Sequence, residues 1–518
     1  MQASGATARR SPSPRQFRRA MRFPAAVPPV LWSRRLCRTE EIMTAHEAGA
    51  LHAPGYGSVA TVPAWLRPPP DVNELLPQLW AGTVRRNGAG ALEVGGVDVR
   101  DLAAEHGTPA YVLDEADFRA RAVAFRDAFQ HAFVDLCGGA DVYYACKAFV
   151  CTEVARWLVR DGLRMDACSG GELAVLLRAG APADTIGLHG NNKSDAELDR
   201  AVRAGIGRIV IDSMPEIDRL ADAAARHGVR APVLLRVTVG VEAHTHEYIA
   251  TAHEDQKFGL SLSGGAAARA VQRILARPEL DFRGLHSHIG SQIFDTDGFE
   301  VAARRLLGLH AQVRREHGVT LPEMDLGGGF GVAYTSEHDP LAPKNMADAL
   351  AEIVRRECRA LGVEVPRISV EPGRAIAGPS TFTLYRVGTI KDVELDHGTG
   401  RRYVAVDGGM SDNIRTALYD ADYSCTVASR ASSAAPVLAR VVGKHCESGD
   451  VVVKDEFLPS DLTPGDLLAV PGTGAYCRSM ASQYNHVPRP PVIAVRDRAA
   501  RVLVRRETED DLLALDAG

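Results

Sequence analysis

Lys147 closes the apolar run "VYYACK" (142–147), where a charged side chain is usually unwelcome. An amine placed there and shielded from water has its pKa lowered, and the neutral amine is the nucleophile that condenses with an aldehyde to a Schiff base. Asp166, in "MDACSGGE", is an inward-facing acid able to tune that amine's affinity for a proton. Glu371 follows the apolar run "RISV" and opens "EPGR" (371–374). A carboxylate there can hold a pyridine nitrogen protonated through a charge-assisted hydrogen bond, and Arg374 suits a phosphate or a carboxylate. "DLGGGFG" (325–331) sets Gly327, Gly328 and Gly329 in a row, so backbone N–H groups can approach a phosphate without side-chain interference. His288, in "HSHIGSQ", can lie flat against a ring, with Gly290 and Ser291 in reach of phosphate.

Each residue also has a plainer reading: a lysine emerging into solvent, a Glu–Arg pair at a turn, glycines that serve a turn. A metal centre is the chemical rival, with His286 and His288 joined by His244, His246 or His253. The sequence contains no HExxH motif and no acidic cluster to support it.

Residues so far apart in sequence need a scaffold that gathers them. Eight Val/Ile/Leu-rich runs provide one: 141–147, 163–169, 185–192, 208–213, 233–239, 282–290, 323–329 and 367–374. Helical segments such as "GELAVLLRAG", "DAELDRAVRAG" and "PEIDRLADAAARHG" lie between them, each ending on a glycine where a C-cap belongs. Eight strand–helix alternations predict an α/β fold, a (β/α)8 barrel, with active-site groups at the C-terminal strand ends. A doubly wound open sheet also alternates strands and helices. The convergence of Lys147, Asp166, His288, the glycine run and Glu371 on strand ends favours the barrel.

The barrel is expected over 109–377. Beyond it "TFTLYRVGTIKDVE", "RYVAVDGG" and "APVLARVVGKHCESGDVVV" read as strands without long helices, predicting a C-terminal β domain over 378–518. The segment 46–108 has hairpin character near 80–100 and is expected to add strands to that domain. Residues 1–45 are rich in Arg, Pro and Ser, with no acid before Glu40, and are expected to be disordered.

Bulk properties narrow the classes. The chain has 518 residues, 46% apolar and 24% charged, enough for more than one domain. A net charge of −5, without a basic helix, speaks against nucleic acid. No stretch approaches the apolar length of a membrane span. Nine scattered cysteines without a CxxC pair suit a reducing cytoplasm.

Taken in order, "YYACKA", "DACSGGE", "HGNNKS", "HSHIGSQ", "DLGGGFG", "EPGR" and "CESGD" resemble the motif series of the alanine-racemase-fold pyridoxal-phosphate decarboxylases, and within them the diaminopimelate decarboxylase family. The likeness runs from about residue 75 to the C-terminus. It implies a pyridoxal 5'-phosphate-binding barrel with a β domain, in a homodimer whose active sites are shared across the interface. It further implies decarboxylation of meso-2,6-diaminopimelate to L-lysine and CO2, the last step of lysine biosynthesis by that route. Same-fold decarboxylases of ornithine, arginine or a carboxylated polyamine are the alternative. Carried over by motif, Lys147 would link to the cofactor and Asp166 would lie beside it. Glu371 would face the ring nitrogen and His288 would stack on the ring. Ser291, Gly327, Gly328, Gly329, Gly373 and Arg374 would hold the phosphate. Arg374, Arg415 and Tyr419 would contact the far end of the substrate. Tyr476 would touch both cofactor and substrate. Cys446 would be the proton donor and Glu447 the ligand of the distal ammonium, both reaching into the partner's site. Lys193 in "HGNNKS" either serves the site or caps the next helix.

Overall fold

The computed structural model describes residues 62–63, 65–240, 256–394 and 400–518. The tail expected over 1–45, and His244, His246 and His253 of the rival metal reading, lie outside the described residues.

The eight apolar runs form eight parallel strands: β1 (Ala140–Ala145), β2 (Arg164–Ala167), β3 (Ile186–Leu188), β4 (Arg208–Ile211), β5 (Ala231–Thr238), β6 (Leu280–His286), β7 (Glu323–Asp325) and β8 (Arg367–Val370). Neighbours pair in sequence order, and β8 returns to β1 through Ile368↔Ala140 and Val370↔Val142. The sheet is therefore a closed barrel, which eliminates the open doubly wound alternative. Helices cover it because their ends are specified locally. Ser194 and Glu197 form a capping box at the start of Asp195–Ala204, and Gly205 ends that helix in the left-handed region at φ 67°. Gly180 and Gly228 terminate their helices in the same way.

The long helix Glu115–Cys137 precedes β1 and buries Phe118, Ala122, Phe125, Phe129 and Phe133, a stripe at helical spacing. Phe129 stacks between Phe125 and Phe133 and meets Phe330 at 6.1 Å between centroids. Phe330 directly follows the glycine run, so this aromatic stack supports the loop after β7.

Two boundaries differ from expectation. The strand Ala110–Asp114 was assigned to the barrel by the 109–377 boundary. It pairs instead with Thr381–Glu394 (antiparallel) and Val492–Arg496 (parallel) in the β domain. The barrel takes as a ninth strand only the short Leu260–Ser261, beside the end of β5, whereas the β sheet has a gap that these five buried residues fill. The second correction concerns 80–100, whose strands Arg85–Arg86, Leu92–Val94 and Val97–Asp98 pair only with one another. They are two or three residues long, and they join the β domain by packing: Leu92, Val94 and Val99 share a core with Val112, Phe382 and Leu384.

In the β domain the strand Thr381–Glu394 spans 14 residues. Its first half pairs with Ala110–Asp114 and Leu467–Pro471, and its second half with Gly400–Val406. Among the described residues no helix is long and apolar enough to cross a membrane.

Phe129→Ala removes the centre of the stack under the loop after β7. It should lower stability by about 3–5 kcal/mol, visible by calorimetry as a depressed melting temperature.

Candidate active site

The C-terminal ends of the strands open onto a cavity of about 420 Å³. Lys147 lies two residues beyond β1 in a tight turn fixed by Cys146 N–H donating to the Asp166 carbonyl at 3.2 Å and Ala148 N–H to the Ala145 carbonyl at 3.1 Å. Its amine faces the cavity, as do Asp166, His288, Ser291, Glu371 and Arg374. Gly290, Gly329, Gly373, Tyr419 and Tyr476 complete that part of the wall. Residues expected from seven separated stretches of the sequence thus meet in one place.

The proton affinity of Lys147 is the reverse of the expectation. Burial lowers it, but the fields of Tyr476, Cys168, Asp166 and Glu371 outweigh burial, and the pKa is pushed up to about 12. Sequence shows that the amine is enclosed, not that acids from other strands surround it. Asp166 is buried and carries an Oδ1 without a hydrogen-bond partner. Burial pushes its pKa well up, while Lys147 opposes the rise.

Glu371, directly after β8, is the most heavily contacted acid of the site. Its Oε1 lies 3.1 Å from His286 Nε2, 3.3 Å from His189 Nε2 and 4.0 Å from Arg208 Nη2. Beneath it Arg208 pairs with Asp325, donates to Ser369 Oγ at 2.8 Å and sits 3.6 Å from the centroid of the Tyr143 ring. Burial, first of all, holds both imidazoles uncharged: His286 is driven down to about 3 and His189 well below the usual histidine value. His189, His286 and Glu371 present three ligand atoms within 4.8 Å of one another. After burial, Asp325 favours a positive charge on His286 and the cations Arg236, Arg208 and Lys147 oppose it. The arrangement is that of two neutral imidazoles around one carboxylate.

The glycine run serves the site differently from its expected role. Gly327 N–H donates to Asp325 Oδ1 at 2.7 Å and Gly328 N–H to His288 Nδ1 at 3.2 Å. A Cβ on Gly328 would collide with the Glu371 carbonyl oxygen. Two of the three glycines therefore allow the loop after β7 to pass close to Glu371 and to orient His288. Only Gly329 faces the cavity.

Arg374 and Arg415 meet through an intermediary absent from the sequence reading. Arg374 donates to Tyr334 Oη at 2.6 Å and to Ser291 Oγ at 2.9 Å. The Arg415 guanidinium lies 4.7 Å from the Tyr334 ring centroid and donates to Tyr423 Oη at 2.5 Å. Both arginines are buried, each has an Nε without a partner, and among the described residues neither has a carboxylate within ion-pair distance. Arg415 opens the short helix Arg415–Tyr419 of the β domain; Tyr419 at its end lines the cavity, and Arg415 stands behind the wall. Tyr476 sits at φ 64°, with its N–H donating to the Ala148 carbonyl at 2.9 Å and its ring 4.6 Å from the Arg374 guanidinium.

Cys446 and Glu447 are not brought to this cavity. Both are exposed on the loop after the strand Pro436–Val442. Lys193 neither lines the cavity nor caps a helix, since Ser194 does the capping. Its buried ammonium donates to the Gly190 and Val210 carbonyls at 2.8 and 2.6 Å and to Glu216 at 2.6 Å. That clamp fixes the loop carrying His189 and Asn191, both in the cavity wall. His189 was quoted within "HGNNKS" but had no role. Tyr334, Tyr423 and Arg208 carried no local signal, because their partners come from distant strands.

Comparison with known proteins agrees with the geometry. The model of the pyridoxal-binding domain of pyridoxal-dependent decarboxylases matches residues 116–378. The diaminopimelate decarboxylase of Mycobacterium leprae is 52% identical over 478 residues, 92% of this chain and all of the relative. That of Mycobacterium tuberculosis H37Rv is 54% identical over 452 residues, 86% of this chain and all of the relative. The crystal structure of diaminopimelate decarboxylase from M. jannaschii with L-lysine superposes with a TM-score of 0.79 at 30% identity, covering 85% of this chain and 99% of that one.

The neutral His286 gives a pH signature. Its pKa falls from 6.5 in the unfolded chain to about 3 in the fold, so unfolding takes up a proton between those limits. The stability linked to it is complete above the upper limit and is lost progressively as pH falls towards the lower one. His286→Gln should flatten the fall in unfolding free energy between pH 6 and 4 by up to about 1.4 kcal/mol per pH unit, measured by urea titration of the cofactor-free protein.

Proposed function

This chain belongs to the diaminopimelate decarboxylase family of pyridoxal-phosphate-dependent enzymes, and we propose that it converts meso-2,6-diaminopimelate to L-lysine and CO2. The observation that carries the substrate is the buried Arg374–Tyr334–Arg415 assembly, whose two guanidiniums have no acid beside them. Buried charge without a counter-ion costs several kcal/mol, and a substrate with a carboxylate at its far end supplies one. Ornithine, arginine and carboxylated polyamines lack that carboxylate, which disfavours them. The L-lysine bound to the M. jannaschii enzyme fits the same reading as its product.

The residues present fit the cofactor. The site offers an enclosed amine, a carboxylate whose Oε1 gathers the surrounding donors, an unpartnered Asp166 oxygen and a turn-rich wall at Gly290, Ser291, Gly329 and Gly373. Lys147 would hold the cofactor's aldehyde carbon, Glu371 would keep a proton at the ring nitrogen, and His288 would lie against the ring. Ser291, Gly329, Gly373 and Arg374 would hold the phosphate, while Gly327 and Gly328 shape the loop. Bound there, pyridoxal phosphate supplies the electron sink that accepts the pair left when the Cα–carboxylate bond breaks. Arg374, Arg415, Tyr419 and Tyr476 would fix the substrate so that the departing carboxylate stands off the ring plane.

The Cα left after CO2 departs needs a proton. Cys446 is the proposed donor and Glu447 the ligand of the distal ammonium, and both lie outside their own chain's cavity. A two-fold homodimer delivers them, with Cys446 of the partner subunit entering each site. Leu418 supports such an interface: it adjoins the cavity residue Tyr419 and is 48% exposed. A cytoplasmic location accords with eight described cysteines that are all free.

Arg415→Ala should lower kcat/KM for meso-diaminopimelate by about 10²–10³-fold, since a buried charge pair is broken, while sparing any trace activity on ornithine. Lysine and CO2 release measure both. Full activity on diaminopimelate, or equal loss on both substrates, would defeat the assignment. Mixing inactive Lys147→Ala and Cys446→Ala proteins should regain about a quarter of wild-type activity, because random exchange makes half the dimers mixed and each then holds one intact site. No regain after exchange would place both residues in a single chain's site.

A further inference from the structure

His189 has no part in the reaction described so far, although it stands at its centre. It follows β3 directly and is 5% exposed in the cavity wall. Its Nε2 lies 3.3 Å from Glu371 Oε1, off the line of a hydrogen bond and without any other partner. Its ring meets that of His286 edge-on, with centroids 5.0 Å apart. Three strands thus send a nitrogen towards one oxygen of Glu371: β3 through His189, β4 through Arg208 and β6 through His286.

The charges divide clearly. Arg208 is committed to Asp325, Arg236 faces Asp212 at 3.8 Å, and Lys147 faces Asp166. Glu371 is left with two uncharged imidazoles at Oε1, the guanidinium of Arg208 at 4.0 Å and Lys147 near enough for their charges to act on each other. A charged histidine would neutralise it and remove the need for a proton on the ring nitrogen. Burial forbids that charge. A neutral imidazole can still donate one N–H to Oε1, which leaves the other oxygen for the ring.

We propose that His189 is a positioning residue for the decarboxylation: with His286 it anchors Oε1 of Glu371 and leaves the remaining oxygen turned towards the pyridine nitrogen. The inference rests on the cofactor placement proposed above. Its role runs through Glu371 and involves no contact with the substrate.

The test uses the full-length holoenzyme loaded with cofactor labelled with ¹⁵N in the ring, in wild type, His189→Leu and His189→Asn. The ¹⁵N chemical shift at neutral pH reports protonation of the ring nitrogen, which packing alone does not change. Wild type should show the protonated shift. His189→Leu should still load, seen as absorbance near 420 nm, but its shift should move towards the unprotonated value. Its kcat should fall about 10–100-fold, the range for supporting groups around a reactive centre, with KM within about threefold. His189→Asn, which keeps an N–H donor, should restore shift and kcat together. Should the leucine variant fail to fold, His189→Phe keeps the aromatic volume without the donor and is read in the same way. A loaded variant with no donor but a wild-type shift overturns the proposal, whatever its kcat. If wild type itself takes up no cofactor, the placement underneath it fails instead.

Discussion

Moving an ionised group out of water costs several kcal/mol unless an opposite charge or good hydrogen bonds replace the solvent, and this barrel encloses many such groups. Most are matched inside the chain. Arg208 pairs with Asp325, Lys193 with Glu216, and Lys147 lies in the field of Asp166 and Glu371. Two mismatches remain. Glu371 has neutral imidazoles and a guanidinium 4.0 Å away around its Oε1, while Arg374 and Arg415 have the hydroxyls of Tyr334, Ser291 and Tyr423. A ligand cationic at one end and anionic at the other resolves both, as the proposed cofactor ring and substrate carboxylate do.

The same constraint explains why the barrel alone is insufficient. Tyr419 and Tyr476 belong to the β domain, so that part of the cavity wall exists only while the two sheets are docked. A shared hydrophobic core and specific hydrogen bonds hold that docking. Tyr476 N–H and Ser479 Oγ both donate to the Ala148 carbonyl, at 2.9 and 3.0 Å, one residue past Lys147. Asp412 holds the start of the Arg415 loop: its carboxylate accepts from Tyr385 Oη and from Gly409 N–H at 2.8 Å, and its carbonyl accepts from Tyr111 Oη at 2.5 Å. Tyr111 sits on the strand that fills the gap in the β sheet. The strand placed unexpectedly outside the barrel therefore braces the loop that carries Arg415.

The supporting loops follow a common pattern, in which a buried contact out of sight of the cavity fixes a residue within it. The Lys193–Glu216 clamp fixes His189 and Asn191, and the Asp325–Gly327 hydrogen bond fixes Gly328 and His288. Burial makes these contacts costly to break, since each leaves a polar group unpaired. That stiffness suits a site that must hold a ring nitrogen and a phosphate at fixed separation.

The sequence by itself determined what depends on near neighbours. Alternation of apolar runs and helices, ended by Gly180, Gly205 and Gly228, specified eight strand–helix units, because strand and helix periods and left-handed caps are local properties. The ordered motifs named Lys147, Glu371, His288 and Arg374, which do lie together. Tertiary structure alone decided how these groups affect one another. The amine of Lys147 is raised, not lowered, because the acids around it come from other strands. The glycine run is mostly close backbone passage, because Glu371 lies against it. Ala110–Asp114 joins the β sheet because its pairing partners, Thr381–Leu384 and Val492–Val495, are brought beside it only by the fold. Pairings across hundreds of residues and the fields of distant charges depend on separations in space, and these exist only once the chain has closed on itself.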